Sequence, residues 1–175
     1  MNLRRPTLWV LRRSGVLTAL LAAWAILAPA KVQAENADMA ARCAQVRNDD
    51  TVRPYDPSQR AGLIRAYARL FPGAPTPPPE AQLKNGAHIR CMNGQLFACF
   101  TGANLPCGKM NKARDNHGAD EYCRANADAD VVPAFATGHD TIYSYRCAGE
   151  RSVIVEPTLT LDARGFAASL WAPLD

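Results

Sequence analysis

Six cysteines are the residues of this chain whose type and spacing most clearly indicate a chemistry. Three lie in the stretch CMNGQLFACFTGANLPC, residues 91–107, and the others are Cys43, Cys123 and Cys147. Zinc sites and thioredoxin-like redox centres use a close Cys-x-x-Cys or Cys/His pair, so that two ligands or two sulfurs meet. The nearest cysteines here are eight positions apart, and no histidine completes a familiar zinc knuckle. The spacing therefore predicts three structural disulfides.

A partner for each cysteine follows from the elements expected around it. One pair would join the two ends of an irregular region, where a cross-link contributes about 3 kcal/mol on the chain-entropy model. A second would join two strands that both contain Arg-Cys and could lie together in one sheet. The third follows by elimination and would fix the N-terminal segment. In that order, the predicted bonds are Cys107–Cys123, Cys91–Cys147 and Cys43–Cys99.

Thr137-Gly-His-Asp140 is the polar stretch that most resembles a reactive site. A histidine beside an aspartate on a loop can move a proton or contact a ligand, and it can equally be a turn in which the aspartate caps local amides. The motifs of serine hydrolases, zinc proteases and phosphate-binding loops are absent, and bridged cysteines leave no thiolate nucleophile. We therefore predict a protein that is not an enzyme and has no cofactor. His139, Asp140 and the adjoining Tyr143 are its predicted interaction surface.

Two other interpretations of the acidic residues remain open. A small hydrolase would use His139 with an acid such as Asp140 or Asp120. A calcium loop is suggested by Asn126-Ala-Asp-Ala-Asp130. The EF-hand pattern needs glycine at its sixth position and glutamate at its twelfth, where this chain has valine and threonine. Acids that cap loop turns explain this stretch better, so no metal site is predicted.

The N-terminal residues follow the order of a secretory signal peptide. Four arginines within the first 13 positions precede an apolar stretch over residues 14–28, and Val32-Gln-Ala34 is a small-residue cleavage pattern. We predict cleavage after Ala34, with Ala30 as the second choice. The alternative is an uncleaved membrane anchor, but 15 apolar residues are short beside the roughly 20 that span a bilayer.

Cleavage would leave one disulfide-stabilised domain, residues 35–175, in the periplasm or outside the cell. Disulfides form in those oxidising compartments, and no stable membrane insertion is expected once the signal peptide (residues 1–34) is removed. The signal peptide carries five basic residues and no acidic one, so 15 of the 20 basic residues remain against all 16 acidic ones. The positive field that nucleic-acid binding requires is absent, and no nucleic-acid partner is predicted.

The residue pattern predicts an α+β fold that positions these groups. It consists of one N-terminal helix, a proline-rich spacer and an antiparallel sheet of about three β-hairpins stapled by disulfides. The helix starts at Asp56-Pro57, ends at Pro72-Gly73 and has apolar residues at helical spacing. The spacer, residues 72–79, contains five prolines and should be extended. A second, short helix is expected over about 119–126.

The three predicted hairpins pair residues 87–92 with 95–100, 141–147 with 152–155, and 158–162 with 166–171. The first turns at Asn93-Gly94, the strongest short-range hairpin signal, because a type I′ turn needs positive φ at both central residues. In that register Cys91 faces Leu96 and Cys99 faces His88. The two cysteines then point to opposite sides of the ribbon, which argues against a bond between them.

Four stretches resemble a group of small exported bacterial proteins of unknown function. They are RCMNGQLFAC (90–99), GANLPCGK (102–109), TGHDTIY (137–143) and LDARGFAA (161–168). The resemblance covers most of residues 40–173 and implies no activity. Tyr145-Arg-Cys147 ahead of a glycine turn is also similar, more loosely, to periplasmic inhibitors of C-type lysozyme. Their binding-loop motif is not recognisable here, so no inhibitory residue carries over.

These observations favour a non-catalytic module of the cell envelope that binds an unknown envelope protein or a small ligand. The alternatives are an accessory subunit of an envelope complex, a lysozyme-inhibitor-like protein, and the small hydrolase described above. An enzyme should have a deep pocket with convergent polar groups. An interaction module should instead expose an apolar patch.

Overall fold

The computed structural model describes residues 38–102 and 105–175, and the predicted signal peptide lies outside these ranges. The described chain is α+β, as predicted. Its helices are α1 (38–46), α2 (Arg60–Leu70), α3 (Glu80–Gly86), α4 (His117–Ala125) and α5 (Ala134–Thr137). Its strands are β1 (Asp49–Pro54), β2 (Ala87–Met92), β3 (Gln95–Phe100), β4 (Tyr143–Ala148), β5 (Arg151–Pro157) and β6 (Ala172–Pro173).

The strands form two antiparallel sheets instead of the single sheet that the sequence suggests. One has the order β1-β2-β3-β6, and β4 and β5 form a separate two-stranded ribbon. The first two predicted hairpins are confirmed, and Cys91 pairs with Leu96 as expected. Asn93 and Gly94 have φ of 53° and 86°, the positive values that a type I′ turn needs.

The third predicted hairpin is not confirmed as a pair of strands. Within residues 158–171 one bridge forms, between Leu161 and Ala167, and β6 then pairs with β3. Beside that bridge Asp162 N donates to Phe166 O at 2.8 Å and Ala168 N donates to Thr160 O at 2.9 Å. Asp162 Oδ1 also accepts hydrogen bonds from the backbone N–H groups of Arg164 and Phe166, so its carboxylate holds the turn.

The prediction of a single N-terminal helix is also wrong, because α1 and α3 flank the helix that was expected. The expected helix is α2, preceded by a 3-10 turn at Pro57–Gln59 that Asp56 caps by accepting from Ser58 N at 2.8 Å. Residues 72–79 contain turns and bends and lead into α3. The second predicted helix is α4, whose first turn is capped by Asn116.

The larger sheet buries both of its faces. One face packs against α2 and α3 in a cluster that includes Leu63, Leu83, Ile89 and Phe100. The opposite face is covered by the segment after β5, through Phe166 and Trp171. A separate cluster lies between α4 and the β4–β5 ribbon.

Arg90 lies on the face of the larger sheet that Phe166 and Trp171 cover, and 0 % of its surface is exposed. Its guanidinium is paired with the Asp162 carboxylate. The guanidinium carbon lies 3.6 Å from the centre of the Phe166 ring and 4.7 Å from that of Trp171. Burial raises the pKa of Asp162, but hydrogen bonds from Phe166 N, Arg90 and Arg164 N outweigh it and lower the pKa overall. The Asp162 carboxylate therefore stays charged at neutral pH.

A second ionic group lies beside this pair at the surface. Asp50 is paired with Arg164 and accepts from Lys109 Nζ at 2.7 Å. The hydrogen bonds from Arg164 and then Lys109 lower the pKa of Asp50 to about 2. Because β1 provides Asp50, this group attaches the outer strand to the segment that covers Arg90.

All six cysteines form disulfides, but each predicted pairing is wrong. The bonds are Cys43–Cys91, Cys99–Cys107 and Cys123–Cys147, with Cα separations of 5.4, 5.7 and 5.3 Å.

The topology explains each correction. Cys91 and Cys147 cannot meet because their strands belong to different sheets. Helix α1 packs on the face that presents Cys91, so Cys43 bonds to Cys91 and not to Cys99 on the other face. Cys99 instead meets Cys107 after a short excursion of the chain.

We expect non-reducing peptide mapping by mass spectrometry to recover these three linked pairs. The sheet register and the position of α4 bring these sulfurs together, since Cα atoms more than about 7 Å apart cannot be bridged. Recovery of a peptide that links Cys107 to Cys123 would contradict the topology. The control is the reduced and alkylated sample, which should yield six separate cysteine peptides.

Asp162→Asn should destabilise the protein by about 3–5 kcal/mol, because it leaves the Arg90 charge buried without its carboxylate. Asp50→Asn is the matched control. It removes a carboxylate from the neighbouring exposed ion pairs and should cost at most about 1 kcal/mol. Chemical denaturation measures both values. Equal losses in the two variants would show that the buried pair is not the stronger constraint.

Candidate functional site

The loop that carries the predicted interaction residues lies between α5 and β4, and its backbone is held firmly. Asn111 N donates to Asp140 O at 2.7 Å, and Ile142 N donates to Asn111 O at 3.2 Å. At the start of the loop, Asn116 Nδ2 donates to Thr137 O at 2.7 Å. The loop is therefore fixed by main-chain contacts that leave its side chains available.

The side chains of His139 and Asp140 are exposed. Among the described residues, neither side chain makes a hydrogen bond or an ion pair. Tyr143 is half-buried, with its ring centre 6.4 Å from that of Tyr145. The guanidinium of Arg114 lies 5.5 Å from the Tyr143 ring centre. An imidazole, a carboxylate, a phenol and a guanidinium thus lie on one loop and the chain beside it, and their function stays a prediction.

One of the two acids considered for a hydrolase is already engaged elsewhere. Asp120 on α4 accepts from Ser152 Oγ at 2.7 Å and from Ser152 N at 2.9 Å. These hydrogen bonds from the side chain and backbone of Ser152 lower the pKa of Asp120. Its carboxylate joins α4 to β5, which is a structural use.

One acid of the suggested calcium loop is also used by the fold. Asp128 has φ of 61°, and its Oδ1 accepts from Gly149 N at 2.9 Å, which closes the β4–β5 turn. Within residues 38–102 and 105–175, no three histidine, cysteine or acidic residues gather closely enough to hold a metal ion. The turn-capping interpretation fits the position of Asp128.

An exposed apolar group lies directly before this loop, and sequence reasoning did not find it. Phe135 on α5 is 78 % exposed and Val131 is 69 % exposed. The Phe135 ring contacts the edge of Tyr122, with ring centres 6.1 Å apart. The sequence feature that could have indicated this exposed group is the apolar run Val131-Val-Pro-Ala-Phe135. It has neither helical nor strand periodicity.

We call this region the Phe135 surface and define it by five exposed or half-buried residues between position 131 and the start of β4. Its members are Val131, Phe135, His139, Asp140 and Tyr143.

Two hollows lie elsewhere on the molecule, and neither is lined by a member of the Phe135 surface. The first, of about 280 Å³, lies between α1 and β1 and has the Cys43–Cys91 disulfide in its wall. The second, of about 420 Å³, lies between α1, the start of α2, the β2–β3 turn and the residues that follow Pro173.

Comparison with protein-family models, with curated proteins and with solved structures finds no match to this chain. The resemblance to small exported bacterial proteins therefore stays a prediction from the sequence. Among the described residues, no helix is both long and apolar enough to cross a lipid bilayer.

Proposed function

We propose that this chain is an exported, non-catalytic binding module of the cell envelope, and that it contacts another envelope protein through the Phe135 surface. The observation that carries the proposal is the 78 % exposure of the Phe135 side chain. Burial of a phenylalanine side chain is worth about 1.5–3 kcal/mol. An aromatic ring that the fold leaves in solvent can give that free energy to a partner.

The residues around Phe135 have the composition of a protein interface. Aromatic residues and arginine are enriched in interface centres and dominate measured binding energies. Tyr143 offers apolar area with a polar tip, and Arg114 lies over its ring. His139 and Asp140 supply a polar rim. The surface lies outside both hollows, which favours a protein partner over a small ligand.

The disulfides support the export that the proposal requires. All three are buried, and structural disulfides persist in oxidising compartments such as the periplasm and the exterior. They also make the scaffold under the Phe135 surface rigid. A rigid surface loses less conformational entropy when it binds.

An accessory subunit of an envelope complex would use the same surface in a permanent contact. The exposure of Phe135 supports a permanent subunit contact as well as it supports a reversible binding module. Dilution of the purified complex separates these two functions, because the partner dissociates only from a reversible module. The structure adds no support for the hydrolase, because Asp120 is held by Ser152 and neither His139 nor Asp140 lines either hollow. No feature of the structure favours the lysozyme-inhibitor likeness.

Phe135→Ala, and separately the double variant His139→Ala with Asp140→Ala, should weaken capture of the partner from an envelope fraction. A central aromatic residue contributes about 2 kcal/mol or more, so the Phe135 variant should lose roughly 30-fold in affinity. Unfolding free energies should change by no more than about 0.5 kcal/mol, because the altered side chains are exposed. Affinity capture with quantitative mass spectrometry, followed by binding of the isolated partner, measures the effect.

Val155→Ala is the control for this experiment. Val155 is 54 % exposed and lies on β5, outside the Phe135 surface, so its replacement should leave capture unchanged. If all variants capture the same proteins equally, the surface is not the contact. If the double variant unfolds the protein, residues 139 and 140 are structural turn residues and the site is wrong.

Mass spectrometry of the natively exported protein should find Glu35 as its first residue, or Lys31 at the second cleavage site. The basic N-terminal region, the apolar stretch and the Val-Gln-Ala pattern together predict this cleavage. An Ala34→Trp substitution should block the first site, because signal peptidase requires a small residue there. Recovery of an exported protein with residues 1–34 still attached would refute the export signal as interpreted.

A further inference from the structure

Two polar side chains line the second hollow. Ser58 and Gln59 line it and are each only 7 % exposed. Gln59 Nε2 donates to Ser58 Oγ at 3.4 Å. Within the part of the chain that the structure describes, the Ser58 hydroxyl hydrogen and the Gln59 side-chain carbonyl have no partner. Both groups therefore remain free to bond to water or to a bound molecule.

The wall of the hollow also contains an arginine without a partner. Helix α2 has three arginines and no acidic residue. Arg60 pairs with Glu80, and Arg69 Nη1 donates to Pro173 O. Arg65 has neither an ion pair nor a hydrogen bond among the described residues, and it is the one of the three that lines the hollow. The wall therefore presents a free positive charge.

The rest of the hollow is mainly apolar. Ala61, Leu96 and Leu174 line it together with Gly62. Gly62 lets Leu174 approach α2 closely, because a Cβ atom at position 62 would lie 2.9 Å from Leu174 Cβ. An apolar floor thus lies beside a wall that donates hydrogen bonds and carries positive charge.

We propose that the second hollow binds a small organic carboxylate with a short apolar chain. The carboxylate would accept charge-assisted hydrogen bonds from Arg65 and a hydrogen bond from the Ser58 hydroxyl, since guanidinium groups match carboxylates in geometry and charge. The apolar chain would lie on Leu96 and Leu174. At about 420 Å³, the cavity is within the usual size range of small-molecule sites, roughly 300–1,000 Å³.

Asp175 also lines the hollow and limits how the ligand is placed. Its carboxylate would repel an anion beside it, so the ligand's charged end lies against α2. The site shares no residue with the Phe135 surface. Ligand binding here and partner binding there are therefore independent proposals.

Hexanoate is the probe that tests this site, with hexanol and hexylamine as ligands of equal chain length and different charge. In ¹H–¹⁵N spectra, hexanoate should shift the amide signals of Ser58, Gln59, Gly62 and Arg65 together with those of residues 94–96. Hexanol should bind about 10-fold more weakly or worse, because a hydrogen bond to a charged group is worth about 1.5–3 kcal/mol. Hexylamine should leave the Arg65 amide signal unshifted, because its ammonium group is repelled by Arg65 and attracted by Asp175.

Arg65→Gln should weaken hexanoate binding by about 10-fold without changing hexanol binding. Arg60→Gln is the control: it makes the same change on the same helix, at an arginine that pairs with Glu80 and does not line the hollow, and should leave hexanoate binding unchanged. Equal binding of hexanoate and hexanol to the unaltered protein would overturn the proposal, as would amide shifts confined to other regions. The ligand comparison needs no variant, so it decides the matter even if a substitution impairs folding.

Discussion

The buried guanidinium of Arg90 is the interaction on which the larger sheet depends. A charge with no exposed surface is tolerated only with a partner, and removal of one partner from a buried pair is far more costly than loss of a surface pair. Asp162 provides the opposite charge, and Phe166 and Trp171 cover the guanidinium from two sides. All three partners come from the segment after β5. That segment must therefore close over β2, and β6 can then pair with β3.

The pairing of Asp162 with Arg90 also explains why the backbone pairing within residues 158–171 stops after one bridge. Asp162 accepts hydrogen bonds from its own segment and also binds Arg90, so its carboxylate shapes the turn and attaches it to the sheet. The Cys99–Cys107 disulfide lies in the same buried cluster. Asp50 then joins β1 to the outside of this region through Arg164 and Lys109. The Arg90–Asp162 ion pair, the aromatic contacts of Phe166 and Trp171 and the Cys99–Cys107 disulfide therefore all lie on one face of the larger sheet.

Features determined by neighbouring residues could be predicted from the sequence, and features determined by distant residues could not. The Asn93-Gly94 turn fixes the β2–β3 register locally, and Asp56-Pro57 fixes the start of the helix before α2 reaches the core. The cysteine pairing depends on which sheet each strand joins and on which face α1 covers. Arg90 appeared in the sequence as one residue of an Arg-Cys pair, and only the fold shows its burial. His139, Asp140 and Tyr143 could be proposed from the sequence because polar loop residues are visible there, while the exposure of an apolar residue such as Phe135 is not.

The exposure of Phe135 is a consequence of how the preceding chain pairs with β4. Cys147 N donates to Ala129 O and Val132 N donates to Tyr145 O, both at 2.8 Å, so residues 129–132 lie along the edge of β4. This pairing buries the Val132 side chain in the cluster beneath α4. In extended chain neighbouring side chains point to opposite sides, so Val131 must point outward when Val132 points inward. Pro133 then begins α5, and Phe135 on this short helix lies outside the cluster. The two hydrogen bonds therefore set which of the two valines is buried, and α5, which follows this pairing, leaves Phe135 in solvent.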